Sequence, residues 1–266
     1  MNADIEPLLK KLHSQGRLRV WSLIITFFGD SILSKGGKVE ASRIKLLMQA
    51  MRIEPGTVRT ALSRLTKDHW LERSGNSKTT IYYLGERGVK EFGPASQLIY
   101  SSPNTKFEEN WKVIVNPDLD YEHSGFVIQP GVSIIPISEN SPKNSLIFDS
   151  KIKFLSDEIS YKLLPKGYFN EINQLIDLFI EIPATKLTPL EAMITRTLLI
   201  HHWRRIVLNF PEVPNEFTPK QWRGHNIRLL IKKIYNELTP EAENWLNLPM
   251  EPSLINFKNF KTPDRF

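Results

Sequence analysis

Between residues 54 and 70 (EPGTVRTALSRLTKDHW) the apolar positions Val58, Ala61, Leu62 and Leu65 recur at i, i+3, i+4, i+7. That is the spacing of a helix that meets a core along one side. The opposite face carries Arg59, Thr60, Ser63, Arg64 and Lys67, with Thr57 at its start: cations and small hydroxyls, and no carboxylate. Residues 40–51 repeat the pattern with Ala41, Ile44, Leu47, Met48 and Met51, and Ser42 is the candidate N-cap. Only Arg52, Ile53 and Glu54 intervene before Pro55, whose missing N–H is harmless in a first helical turn. Two amphipathic helices joined so tightly read as helix-turn-helix. Downstream, residues 71–74 and the β-branched, aromatic run 79–84 (TTIYYL) flank a Gly/Asn turn and predict a hairpin. Helix, turn, helix, hairpin is the order of a winged helix, and Arg73 and Lys78 would stand on its wing.

The rest of the chain predicts a mixed architecture. Residues 1–16 read as a short, loosely held helix or arm. Residues 18–28 (LRVWSLIITFF) are apolar nearly all round, so a buried helix is expected there, ending at Gly29 and Asp30. Residues 34–38 read as a loop. Residues 85–92 predict a short closing helix, stopped by Gly93 and Pro94, and 101–104 a linker. Strands are expected at 111–115, 125–129 and 132–137, with further short ones at 145–148 and 152–155. Helices follow at 168–181, 188–208 and 225–238. The second has Thr188, Pro189 and Glu191 in the arrangement of a capping box. Thr239 and Pro240 would open a last helix, and the residues after 248 read as an extended tail.

Composition limits the function classes. The chain has 266 residues, 41% hydrophobic and 24% charged, as expected of a soluble protein of two or three domains. The absence of cysteine excludes disulfides, thiolate metal sites and thiol catalysis, and fits a cytoplasmic location. No apolar run reaches the roughly 18 residues of a membrane span, and no signal-peptide core opens the chain. Through residue 95, lysine and arginine number 16 against 9 acids, so about +7 of the net +6 lies there and the remainder is about −1. Positive charge concentrated around a winged helix is the electrostatic footprint of a nucleic-acid reader.

Other candidate chemistry is weaker. His201 and His202, with Glu212 or His225, suggest a metal site, but neighbours on a helix point about 100° apart; structural roles are preferred and no metal is assigned. Asp118, Asp120 and Glu122 are the ligands a Mg²⁺-dependent nuclease would need, yet no second acidic cluster accompanies them. Arg196, Arg204 and Arg205 with Trp203 give a cationic, aromatic stretch that suits either a docking face or an anionic ligand. GxSxG, HExxH, Walker A and GxGxxG patterns are absent.

Four stretches resemble the phenylacetate-degradation repressor (PaaX) family: SLIITFFGDSILSKGG; TVRTALSRLTKDHWL with the later IYYLGERG; SGFVIQPGVSIIP; and LLIHHWRRIVLNFPEVPNEFTPKQW with the later IYNELTPEAENWL. The resemblance implies an α+β multidomain repressor. Its parts would be a winged helix (1–95), a ferredoxin-like middle domain (106–165), a helical effector and dimerisation domain (166–246) and an extended tail (247–266). It also implies a homodimer on double-stranded operator DNA, not an enzyme and without cofactor, released by an aryl-CoA such as phenylacetyl-CoA. An acyl-CoA site needs cations beside aromatic surface, which points to Arg196, Trp203, Arg204, Arg205, Trp222 and Arg223. Two departures fall on the effector side: the segment between Trp111 and Ser124 is shorter than in the family, and His202 and Trp203 replace the acid and Tyr of HEYRR. The rivals are a metal-dependent nuclease acting through the middle domain and a constitutive DNA-binding protein.

Overall fold

The computed structural model describes residues 5–14, 19–75, 80–102, 110–116, 125–210, 213–250, 255–261 and 265–266. It is an α+β chain with two small antiparallel sheets. Its contacts group into one unit of Met1–Ser101, Gln174–Leu208 and Arg228–Phe266, and a second of Ser102–Asn173 and Asn209–Ile227. The boundaries expected from the sequence follow chain order, whereas these units interleave along it.

The first unit opens with α1 (Glu6–Ser14). The expected short helix forms here, but it is anchored rather than loosely held, because Leu8, Leu9 and Leu12 are buried. Helix α2 (Val20–Phe27) does not stop at Gly29 and Asp30 but continues as a π-turn (Phe28–Ile32) and a 3-10 turn (Leu33–Lys35). The wider turn brings Asp30 and Ser31 into the interior, where both find partners. Part of the expected loop at 34–38 is thus helical, and β1 (Lys38–Glu40) follows. Then come α3 (Ala41–Ala50), α4 (Pro55–Lys67), β2 (Leu71–Ser74) and β3 (Ile81–Leu84). Glu40, not Ser42, sits at the N-cap of α3, without a side-chain cap. The sheet order is β1-β3-β2, with Leu71 opposite Leu84 and Val39 opposite Tyr82.

Helix α5 (Glu86–Ile99) runs through Pro94 rather than ending before it. The residues beyond Pro94 are held from outside: the Trp203 indole donates to the Ile99 carbonyl at 3.0 Å and the Tyr100 hydroxyl to Asp30 at 2.6 Å. Its start is fixed by close backbone approach, since a Cβ at Gly88 would lie 2.5 Å from the Trp70 carbonyl oxygen.

Two long helices complete this unit, α8 (Pro189–Asn209) and α9 (Ile227–Asn247). Helix α8 starts at the capping box read from the sequence: the Glu191 carboxylate accepts from the Thr188 N–H at 3.1 Å and its hydroxyl at 2.8 Å. The expected break at Thr239 and Pro240 does not occur. The Thr239 hydroxyl donates to the Tyr235 carbonyl at 2.7 Å, and Ala242, Trp245 and Leu246 beyond Pro240 are buried. The residues after 248 are likewise more than a tail. Phe257 is 1% exposed, Glu40 accepts from the Ile255 N–H at 2.9 Å, and Arg265 donates to the carbonyls of Gly29 and Asp30.

In the second unit, β4 (Trp111–Val115), β5 (Phe126–Gln129), β6 (Val132–Pro136) and β7 (Leu146–Ser150) form a sheet ordered β5-β6-β4-β7, every neighbour antiparallel. The strand expected at 152–155 is not formed. Helix α6 (Asp157–Leu163) and the start of α7 (Tyr168–Phe179) follow. Phe217 packs edge-on against Trp111 with ring centroids 4.8 Å apart, and 4.3 Å from Phe126. No described helix is long and apolar enough to cross a membrane.

Candidate nucleic-acid interface

Helix α4 presents the two faces its sequence predicts. Val58, Ala61, Leu62 and Leu65 are buried, and α2 packs against this side. Thr57, Arg59, Thr60, Ser63, Arg64 and Lys67 are all exposed. Residues of these types contact phosphates and base edges when a helix lies in the major groove. Two details differ from the expectation. The Thr60 hydroxyl donates to the Gly56 carbonyl at 3.0 Å, which leaves its oxygen to act as an acceptor. The face also has a carboxylate after all, because Asp68 lies 3.5 Å from Arg64 Nε at the i,i+4 spacing. Arg64 is 68% exposed, and such a surface pair contributes only about 0.3–0.5 kcal/mol. A phosphate or guanine edge can therefore displace it.

The hairpin next to α4 carries Arg73, exposed on β2 opposite Tyr82. Lys78 lies outside the described residues, as do Asp118, Asp120, Glu122 and Glu212. At the foot of the hairpin Arg87 stacks on Trp70, 5.0 Å from the ring centroid. The turn between α3 and α4 holds a residue the sequence reading passed over. Arg52 has a left-handed backbone (φ 61°) and a bidentate ion pair with Glu6 of α1, at 2.6 and 2.9 Å. Nothing in local spacing joins residues so far apart in the chain.

The cations proposed for an effector are scattered. Arg196 is 1% exposed and held by buried partners: Nε lies within ion-pair distance of Asp30 at 3.1 Å, Nη1 donates to Glu243 at 2.9 Å, and Nη2 donates to Ser31 at 2.9 Å. Its face meets Tyr235 rather than Trp203. Burial alone would lower its pKa, but the facing Tyr235, Asp30 and Glu243 raise it well above the usual arginine value. Lys35 shares Glu243 at 2.7 Å, and the Tyr100 and Tyr235 hydroxyls donate to Asp30. This is an interior ion network, closed to a CoA phosphate. Trp203 is also interior, 3% exposed, with Arg228 over its ring. Arg204 is half-buried and donates to Ser22 at 2.9 Å, and burial holds its pKa below the arginine value. Arg205 is exposed. In the second unit Trp222 is half-buried and donates to Asn173 at 2.8 Å, while Arg223 is exposed.

The histidines are packing residues. His201 Nδ1 lies 3.1 Å from the Thr26 hydroxyl, and burial and the neighbouring His202 push its pKa well down. His202 packs near Phe179, and burial, then Arg205 and Lys11, lowers it to about 4. Both are therefore neutral at pH 7.

Residues 19–88 match the family described as PaaX-like protein, and residues 164–248 match the PaaX-like protein C-terminal domain. The chain is 26% identical over 255 residues to the Transcriptional repressor PaaX of Escherichia coli (strain K12), covering 83% of this chain and 81% of that protein. Among solved structures it is similar to the Uncharacterized protein Rv0674 from Mycobacterium tuberculosis, with a TM-score of 0.54 at 16% identity, covering 84% of this chain and 95% of that one. At that identity the likeness speaks for the fold alone.

Proposed function

The chain belongs to the PaaX-like protein family, and from that premise we propose that it is a DNA-binding transcriptional repressor of phenylacetate catabolism, a regulator rather than an enzyme. The observation that carries the reading is α4: an apolar side sunk in the core behind an exposed face of Arg59, Ser63, Arg64 and Lys67. The succession of α3, α4 and the β2–β3 hairpin, with β1 as third strand, supports a winged helix. In the second unit, four strands taken in chain order as 2-3-1-4 support the ferredoxin-like reading.

Arg59, Ser63 and Arg64 are assigned to base edges, Lys67 and Arg73 to phosphates. A single winged helix covers little DNA, so two copies reading two half-sites are part of the proposal. So is release by an aryl-CoA, with Arg204 and Arg205 of the first unit as the cations left there to meet its phosphates once Arg196 is withdrawn. An effector loosens DNA only through unequal affinity for the free and bound forms.

The test begins with genomic DNA. Fragments retained by the wild-type protein are sequenced, and the tightest becomes a labelled probe. Arg64→Ala should lose about 1–3 kcal/mol of affinity for it and relax the base preference. Phenylacetyl-CoA should release the wild-type complex, and Arg204→Ala should need more of it. Unchanged affinity and preference in Arg64→Ala would remove α4 from the groove. Failure of any acyl-CoA to release the probe would leave a constitutive binder.

A further inference from the structure

We propose that α1 is a lock on the turn of the helix-turn-helix, with Glu6 and Arg52 as its positioning residues. The turn between α3 and α4 sets the angle at which α4 leaves its neighbour. Arg52, at the centre of that turn, has φ 61°. Non-glycine residues visit this region rarely, because the Cβ crowds the backbone. Three contacts hold it there. The guanidinium makes two parallel bonds to the Glu6 carboxylate, at 2.9 and 2.6 Å. One residue earlier, the Met51 carbonyl oxygen lies 2.9 Å from the His13 ring at the other end of α1. Between these ends Leu8, Leu9 and Leu12 are buried, which anchors α1 in the fold. The turn's amides are bonded in the same conformation, Arg52 to Gln49 at 2.8 Å and Ile53 to Met48 at 3.0 Å. A glycine would reach this backbone unaided; here an arginine and a helix from elsewhere in the sequence do the work. The Glu6 carboxyl is held below its usual range by the hydrogen bond from Arg52, so it remains charged through mild acid.

This inference rests on the DNA-reading role of α4, and its test separates the two. The pair is exposed, so in the DNA-free protein Glu6→Gln should speed hydrogen exchange at the Arg52 and Ile53 amides by about two- to fivefold. Arg52→Gly should keep Ile53 protected, and adding Glu6→Gln to Arg52→Gly should change nothing further. On the genomic probe selected with the wild-type protein, Glu6→Gln should weaken binding about fivefold, with Arg52→Gly binding as the wild type does and masking the Glu6 substitution. Unchanged exchange in Glu6→Gln, or a double variant as loose as Glu6→Gln alone, overturns the lock. Tighter DNA binding by Glu6→Gln also overturns it, because Glu6 would then be masking a phosphate contact rather than holding a turn. If the wild-type protein retains no DNA, the reading of α4 falls, while the exchange measurements still decide the lock.

Discussion

Arg196→Met would remove the central cation of the buried network and put an apolar chain of similar length in its place. In the wild-type protein the guanidinium lies 3.1 Å from Asp30 and 2.9 Å from Glu243, and both carboxylates are almost wholly buried. Lys35 would remain on Glu243 at 2.7 Å, so two interior carboxylates would face one cation. Asp30 would keep the hydroxyls of Tyr100, Tyr235 and Ser31 but lose the charge beside it. Removing one member of a buried pair costs about 3–5 kcal/mol, because the other is left charged without water. Against a total of about 5–15 kcal/mol that is a large fraction. For a unit of this size it corresponds to a fall in Tm of about 6–20 °C. Urea unfolding followed by fluorescence of the buried Trp203 and Trp245 reads the loss, with the m-value checking that the transition stays two-state. Adding Asp30→Asn should recover about 0.5–3 kcal/mol relative to the sum of the single losses, since the unpaired charge goes with it. A loss below about 1 kcal/mol in Arg196→Met would refute the reasoning and return Arg196 to the candidates for ligand binding.

Three further outcomes follow from the same structure. Lys67→Ala should weaken binding to all DNA alike and reduce the salt-dependence slope by about 0.9, measured by titration at several salt concentrations; a change confined to one sequence would make Lys67 a base reader. His202 is held at about 4 in the fold, so the unfolded chain takes up a proton below about 6.5 that the folded chain refuses. Its share of the stability should then be lost as pH drops from about 6.5 to 4, by up to about 3 kcal/mol, and His202→Gln should make that limb of the unfolding profile shallower, with the buried His201 supplying the slope that remains. Phe257→Ala should cost about 3–5 kcal/mol in urea unfolding, because the ring is interior and faces the Arg43 guanidinium at 5.3 Å; an exposed tail residue would cost almost nothing.

What the sequence made legible was local. The α4 stripe, the capping box of α8 and the short apolar runs of β4 and β6 depend on neighbours within a few positions, and each lies where its pattern put it. The failures share a cause. Gly29, Pro94 and Pro240 are local stop signals, yet helices continue through all three. In each case the far side is held by distant residues: Arg196 on Asp30, Trp203 on Ile99, Lys35 and Arg196 on Glu243. A broken backbone bond costs little once the following turn is tied into a core, and that tie has no local signature. The segment after 248 misled in the same way. Its polar composition reads as solvent-exposed, but Phe257 and the carbonyls near Arg265 fasten it to the start of the chain.

The same limit separates the two sets of arginines. Arg59 and Arg64 stand opposite a clear apolar stripe, so their exposure could be read from spacing alone. Arg196 sits in a helix whose residues are buried in an unbroken run from Glu191 to His201. Such a helix has no polar face, and an arginine within it must find its partners in the core. Those partners are Glu243, 47 residues away, and Ser31, 165 residues away, with Asp30 beside it. A surrounding helix without amphipathic contrast is thus evidence that an arginine is structural. By that criterion Arg196 belongs to the scaffold, and the cations to test for an anionic effector are those that reach solvent, Arg205 and Arg223, with Arg204 at the boundary between the two kinds.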